Sequence, residues 1–326
     1  MLFVKNPSLD PWFNLAAEEY LLKHLDEEVV MLWQSRSSVI VGKHQNTLSE
    51  INYPFVKQEK IPVIRRLSGG GTVFHGPGNL NFTFIRKAPR DRLIDFRKHT
   101  RPVIAFLESI GVPARFEGKN DLRLKGLKIS GNAEHVFKNK VLHHGTLLFN
   151  SDLNRLNQAI KVGEGRYKDR SVQSVRSRVA NISSFLEQTI SFEVFHQKLG
   201  EFLRKYFGNT KEYVFSEKEL ETIENLSREK YNTWEWNFGY SPDYLLSSRA
   251  IIDGEPVELR IMVKKGIIET AGFLATGDRP KKFETLARDM EGRQHRESVL
   301  CDLMVKHRLI DAESTDLPDE WIRLFF

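Results

Sequence analysis

The sequence predicts an α+β protein of about two domains, and three observations lead there. The chain has 326 residues, 40% of them hydrophobic and 28% charged, enough apolar material for sizeable cores. Up to about residue 240, helix-like and strand-like periods are interleaved. From residue 245 the order changes to strands followed by helices, which suits a small separate α+β domain. The expected division is therefore 1–240 and 245–326, with the aromatic-rich NTWEWNFGYSP as the hinge region.

Each element has its own signal. NLAAEEYLLKHL, residues 14–25, is rich in good helix formers and predicts an amphipathic helix. VVMLWQ and SSVIVG read as strands parted by the turn-like Ser35-Arg36-Ser37. NYPFVKQEK predicts a short helix that tolerates Pro54 in its first turn, and PVIRRLS predicts a strand. In NLNFTFIR, Leu80, Phe82 and Phe84 alternate with Asn79, Asn81 and Thr83, the pattern of a half-buried strand. Residues 95–110 predict a helix interrupted or kinked near Pro102, with Gly111 as C-cap. ARFEG, NDLRLKG, LKISGNAEH and VLHHGTLLFN predict short strands with glycine turns. Residues 191–207 and 217–231 predict helices. The last part opens with SRAIIDGEPVELRIMVKKGIIETAGFLA, a three-stranded meander turning at Asp253-Gly254 and Lys265-Gly266. FETLARDMEG and RESVLCDLMVKHRLI then predict helices.

Composition narrows the function classes. The net charge of +6 comes from 49 basic and 43 acidic residues and is scattered. It suits an anionic nucleotide or an acidic protein partner, and no basic arm for nucleic acid is present. Cys301 is the single cysteine, so an intramolecular disulfide and a thiol metal cluster are both excluded. The opening residues lack the pattern of a signal or transit peptide, and no apolar run approaches the roughly 18 residues of a membrane helix. A cytoplasmic protein without nucleic-acid or membrane partners is expected.

The most informative stretch is RRLSGGGTVFHGPGNLN, residues 65–81. It lacks the Gly-Lys-Ser/Thr ending of a Walker loop and the spacing of a dinucleotide fingerprint, and a strand rather than a helix should follow it. What remains is a glycine turn between strands, flanked by Arg65, Arg66 and Ser68. Consecutive N–H groups there can form an anion nest, and an arginine can add bidentate phosphate recognition. A glycine bulge at a sheet corner with solvated arginines is the structural alternative. Lys128 shares a strand face with Ser130, opposite Leu127 and Ile129, where a fixed lysine can meet both a carboxylate and a phosphate. His143 and His144 are adjacent on a strand and must point to opposite faces, so a shared ion is not expected. One of them should line a pocket. A set of metal ligands is not assigned.

Taken together, RR-x-SGGG-x-VFH, GNLNFTF, NDL, K-I-SG-x-A, HHGTLL-x-N-x-DL and SVRSRVANI resemble the lipoate–protein ligase A family. The resemblance is ordered and covers residues from about 6 to 185, continuing less distinctly to the C-terminus. It implies the large fold shared with biotin protein ligases, mixed sheets around a ligand tunnel flanked by helices, followed by a small accessory domain. It also implies activation of lipoate by ATP, with Mg2+ accompanying the nucleotide, to lipoyl-AMP. The lipoyl group then passes to a lysine of an acceptor lipoyl domain, in the E2 subunits of 2-oxoacid dehydrogenases or the glycine-cleavage H protein.

Carried onto this chain, the resemblance makes Lys128 the central catalytic lysine. Arg66 would meet phosphate, and Gly71, Thr72, Val73 and Phe74 would supply contacts to the adenylate. Leu15, Trp33, Ser68, His75 and His144 would line the lipoate pocket. One departure stands out. The ligases commonly read His-Asp where this chain has His75-Gly76-Pro77-Gly78, as in the related octanoyltransferases. Those enzymes use a cysteine nucleophile, and Cys301 lies far from the motifs.

Overall fold

The computed structural model describes residues 1–87, 94–160, 165–275 and 280–326. They form an α+β protein whose helices flank mixed sheets. The chain divides into two compact units. The first comprises Met1–Lys43, Pro62–Asn157 and Val175–Thr233; the second comprises His44–Ile61, Gln158–Ser174 and Trp234–Phe326.

In the first unit, the strand Val29–Trp33 is apolar throughout and buried throughout. Such a strand can only be central, with both faces covered. It pairs in parallel with Leu2–Lys5 and antiparallel with Asn79–Lys87. Lys140–Leu148, Leu127–Phe137, Asp121–Leu124 and Arg115–Glu117 extend the sheet on one side, and Lys211–Tyr213 forms the other edge of its eight strands. A separate three-stranded sheet has Ser38–Val41 in the middle, parallel to Val63–Arg65 and antiparallel to Val73–His75. The glycine loop joins its two outer strands.

The first helix, Pro11–His24, starts where Asp10 accepts hydrogen bonds from the N–H groups of Trp12 and Phe13, with proline at its first position. Asp95 caps Phe96–Ser109 in the same way. Pro102 lies inside this single helix rather than interrupting it, and Gly111, at φ +78°, follows its end. Val103, Phe106 and Leu107 of that helix share a core with Phe195, Leu199 and Leu203 of Phe192–Phe207 and with Leu80, Phe82 and Phe84 of the sheet. The helix expected over 217–231 ends at Leu226 and continues as a π-helical turn, Ser227–Tyr231. Tyr231 is buried there and donates its hydroxyl to Glu19 at 2.7 Å.

The expectation of a half-buried strand at NLNFTFIR needs correction. Asn79 through Ile85 are all buried, and the face carrying Asn79, Asn81 and Thr83 is inside the protein. Alternation was read correctly, but a polar face can be buried where it finds hydrogen-bond partners or lines a cavity.

The second unit is built on an antiparallel sheet in the order Tyr167–Asp169, Tyr244–Ile252, Glu255–Lys264, Ile267–Ala275. The predicted meander is its last three strands. Asp253 and Gly254 have φ of +49° and +82°, and Lys265 and Gly266 have +48° and +76°. Two left-handed residues in succession make the turn whose twist matches a hairpin. Phe283, Leu300, Met304, Trp321 and Phe325, from the helices Pro280–Met290, Glu297–Lys306 and Asp319–Phe325, pack with Leu246, Leu259 and Ile261. This unit differs from the contiguous 245–326 read in the sequence because two earlier segments join it. Tyr167–Asp169 pairs with the edge of Tyr244–Ile252, Leu48 enters the same core, and the Tyr53 ring stacks on Phe326 at 4.4 Å. Pairing over such a separation leaves no local mark on composition.

The His75-Gly76-Pro77-Gly78 departure has a structural cause. Asn79 N–H donates to the Gly76 carbonyl at 3.1 Å across Pro77 and Gly78, and Gly78 has φ +79°, the geometry of a proline–glycine type II turn. The Gly78 carbonyl accepts from the N–H groups of Phe149 and Asn150, at 3.0 and 3.1 Å. A Cβ on Gly78 would lie 2.4 Å from the Asn150 carbonyl oxygen. Gly78→Ala is therefore expected to destabilise the protein by on the order of 3 kcal/mol or more, from overpacking and left-handed strain together. Urea denaturation checks this; a midpoint equal to that of the parent protein contradicts the packing described.

Candidate active site

The glycine loop is organised by a buried arginine. Arg66 donates from Nε to Ser68 Oγ at 2.9 Å, from Nη1 to the Ile40 carbonyl at 3.2 Å, and from Nη2 to the Gly69 and Gly71 carbonyls at 2.6 and 2.8 Å. Burial lowers its pKa to about 10, offset in part by the charge of Glu18, so it stays a cation at neutral pH. Arg65 is also buried and donates to the carbonyls of Gly42 and Lys43, each at 3.0 Å. The solvated-arginine reading is thereby corrected. Carbonyls drawn toward Arg66 turn the loop tightly, and of the three glycines only Gly70 is left-handed, at φ +86°. A Cβ there would also sit 3.2 Å from Arg66 Nη2.

From Ser68 a chain of hydrogen bonds crosses the unit. Ser68 Oγ lies 2.6 Å from His144 Nε2, and His144 Nδ1 lies 2.9 Å from Glu18. Thr83 donates to the same carboxylate at 2.6 Å and accepts from the Trp33 indole N–H at 2.9 Å. Because Arg66 donates to Ser68, the serine hydroxyl is free to donate to Nε2 while Nδ1–H donates to Glu18. In this arrangement every member of the chain finds a partner. The sheet register sets up this row: Thr83 pairs with both Met31 and His144, and Asn81 with both Trp33 and Thr146, on one face. His143, as expected, points the other way.

Around Trp33 several buried polar atoms lack partners. The His75 ring meets the Trp33 ring edge-on at 5.4 Å, and its Nδ1 has no partner among the described residues. Desolvation, with smaller contributions from His144 and Arg66, pushes the pKa of His75 down to about 3, so the ring is neutral. Asn79 Nδ2 donates to Asn81 Oδ1 at 2.8 Å, which leaves Asn79 Oδ1 and Asn81 Nδ2 unsatisfied. Unsatisfied polar atoms are rare in native interiors and mark places where a polar ligand can bind. Leu15 is buried one helical turn from Glu18 on Pro11–His24.

Lys128 stands on Leu127–Phe137, and its backbone is pinned on its free side. Its N–H donates to the Arg178 carbonyl at 2.8 Å, and Ala180 N–H donates to its carbonyl at 3.0 Å. The SVRSRVANI segment thus holds the lysine's strand. Its Nζ pairs with Asp121 at 2.8 Å, and Arg123 takes the other oxygen of that carboxylate, also at 2.8 Å. A Cβ on Gly131 would come within 3.2 Å of Nζ, so this glycine clears room for the lysine. Asn120, next to Asp121, places its amide nitrogen 4.0 Å from where a Cβ on Gly70 would sit. The lysine's partner and the glycine loop are therefore neighbours. Lys125, by contrast, occupies a hairpin turn at φ +50°. Val73 and Phe74 pair with Ile40 and Val39 just beyond Gly71 and Thr72.

The sequence reading missed Glu18, Thr83, Asn79, Asn81 and Asp121 as site residues. Glu18 was hidden because a glutamate in an amphipathic helix ordinarily faces solvent, whereas Asn14 through Glu19 are all buried. Asp121 was within a recognised motif but carried no role.

Comparison with known proteins identifies the family. Residues 10–204 match the family described as the lipoyl protein ligase A/B catalytic domain. The lipoate-protein ligase LplJ of Bacillus subtilis is 42% identical, with 98% of this chain and 99% of that protein covered. Among solved structures, a bi-partite archaeal lipoate protein ligase from Thermoplasma acidophilum has a TM-score of 0.64 at 27% identity. It covers 73% of this chain and 96% of its own. A lipoate-protein ligase A bound with ATP has a TM-score of 0.62 at 26% identity, covering 74% of this chain and 98% of its own. With its glycine loop, buried relay and pinned lysine held in a biotin/lipoate-ligase fold, the chain belongs to the lipoate–protein ligase family.

Proposed function

We propose that this chain is an ATP-dependent lipoate–protein ligase that forms lipoyl-AMP and transfers its lipoyl group to a lysine of an acceptor domain. The observation that carries the reading is the Lys128–Asp121 pair beside the glycine loop. In the first step a lipoate carboxylate oxygen attacks the α-phosphorus of ATP, supplied as its Mg2+ complex, and pyrophosphate leaves. Two anions must approach each other, and a fixed ammonium between them offsets the repulsion and stabilises the transition state. Lys128 supplies that charge by exchanging Asp121 for the substrates, while Arg123 keeps Asp121 paired. In the second step the acceptor amine attacks the acyl carbon, loses a proton and displaces AMP, with Lys128 on the carbonyl oxygen.

The remaining roles follow from position. Gly71, Thr72, Val73 and Phe74 bind the adenylate through backbone groups. Arg66 holds the loop's carbonyls and adds positive potential from beneath. Leu15, Trp33, Ser68, His75 and His144 line the acyl pocket, with Asn81 Nδ2 and His75 Nδ1 available to polar atoms of the ligand. Walls of this kind keep water from the mixed anhydride. Acceptors are expected among E2 lipoyl domains or the glycine-cleavage H protein. The relative from Thermoplasma acidophilum is described as a bi-partite lipoate protein ligase together with its E2 lipoyl domain. No helix among the described residues is long and apolar enough to cross a membrane.

Three variants test the assignment. Lys128→Ala should lower lipoyl-AMP formation ~10²-fold or more, as for removal of one transition-state charge contact. Its thermal midpoint should barely move, because Arg123 remains on Asp121; near-normal adenylate yield removes Lys128 from the chemistry. Gly71→Val, outside the left-handed region, should weaken ATP binding ~10-fold or more, about 1.4 kcal/mol, in a folded protein. Tight ATP binding by calorimetry would place the nucleotide elsewhere. Cys301→Ser should leave transfer nearly unchanged. Cys301 is buried and bonded to the Ser314 carbonyl at 3.6 Å, and burial pushes its thiol pKa up, unlike a nucleophile. Loss of transfer with adenylation intact would restore a thioester route.

A further inference from the structure

The sheet face opposite His144 carries a second cluster, which the adenylation chemistry leaves unused. His143 on Lys140–Leu148 stands directly across from Glu134 on Leu127–Phe137. His99, in the first turn of Phe96–Ser109, reaches the same carboxylate. His99 Nδ1 and His143 Nδ1 each lie 2.8 Å from Glu134 Oε1. All three side chains are buried, at 4%, 0% and 1% exposure for His99, His143 and Glu134. The other carboxylate oxygen accepts the Asp95 N–H at 3.0 Å, at the cap of the helix.

The hydrogen-bond inventory of His143 does not close with a neutral ring. Its Nε2 faces Asn132 Oδ1 at 3.3 Å. That amide cannot be turned around, because its Nδ2 donates to the Asn120 carbonyl at 2.9 Å. Both ring nitrogens therefore face oxygen acceptors, and a neutral imidazole has a single N–H. Beside an ionised Glu134 the inventory closes only with an extra proton or a metal ion.

We propose that His99, Glu134 and His143 form a Zn2+ site tying the first turn of Phe96–Ser109 to two strands of the central sheet. The three ligand atoms already lie within 4.8 Å of one another. Zinc bonds of about 2.0–2.2 Å in tetrahedral geometry need ligand atoms about 3.3 Å apart, so each histidine Nδ1 moves about 0.5 Å away from Glu134 Oε1 to admit the ion. Asn132 Oδ1 then accepts the His143 Nε2–H, the outer hydrogen bond that fixes a ligating histidine's tautomer and turns its Nδ1 lone pair to the metal. Water completes the fourth position. Two imidazoles and one carboxylate suit zinc and reject Mg2+, which separates this site from the ion that accompanies ATP.

The test is direct. The full chain, stripped with chelator, is titrated with Zn2+ and separately with Mg2+ by calorimetry at pH 7, and its melting is followed with and without Zn2+. Expected are one Zn2+ per chain, a raised melting temperature with Zn2+, and no Mg2+ binding at the cluster. Co2+ should give the visible absorption of a tetrahedral nitrogen–oxygen site in the unmodified protein. Glu134→Gln, which keeps the side chain's shape, and His99→Gln should each lose tenfold or more in Zn2+ affinity and the Co2+ spectrum. Absence of stoichiometric Zn2+ uptake, or uptake retained by both variants, overturns the proposal and leaves the cluster as an imidazolium–carboxylate pair.

Discussion

The candidate site depends on one buried guanidinium. Arg66 lies within the sheet corner and gathers the carbonyls of Gly69, Gly71 and Ile40 together with the Ser68 hydroxyl. Burying such a charge costs many kcal/mol unless it is hydrogen-bonded and balanced. Both conditions are met here, the first by the loop and the second by Glu18, whose charge favours the cation. Because the carbonyls of Gly69 and Gly71 turn inward to the guanidinium, the loop is drawn tightly around it. A glycine loop without this brace would be an entropic liability.

The brace is coupled to the sheet and the first helix through atoms shared between neighbours. Ser68 belongs to the loop and His144 to the central sheet, while Glu18 belongs to the first helix, and a proton inventory links all three. Trp33 and Thr83 extend the inventory to the strand on which the half-satisfied Asn79 and Asn81 stand. A change of charge at either end would be felt along the row, since networks of this kind are stable only when fully satisfied.

Strand Lys140–Leu148 serves two environments at once. Its alternation sends His144 to the relay and His143 to the cluster with His99 and Glu134. Gly145 stands between these roles for a steric reason, as a Cβ there would lie 2.3 Å from Asn132 Oδ1 and 2.4 Å from the Phe82 ring. The bare backbone at Gly145 leaves Asn132 room to face His143. The HHG run, one motif in the sequence, is therefore three separate constraints in space.

Much of this was legible in the residues, because its causes are local. Left-handed glycines at Gly78, Gly111, Gly254 and Gly266 and the period-two alternation of Asn79–Lys87 are all set by neighbours a few positions away. The ordered motifs likewise placed the glycine loop and Lys128. What only the tertiary structure decided is which polar groups are buried and with whom. Glu18 looks like a solvated helix residue until Thr83 and His144 arrive from the sheet. Asn81 looks like the wet side of a strand until Trp33 covers it. Asp121 acquires a role only when the register brings it to Lys128, and Tyr167–Asp169 joins a distant sheet edge. Backbone preference acts within a turn or a strand, whereas the partner of a buried charge is chosen by chain segments that meet only on folding.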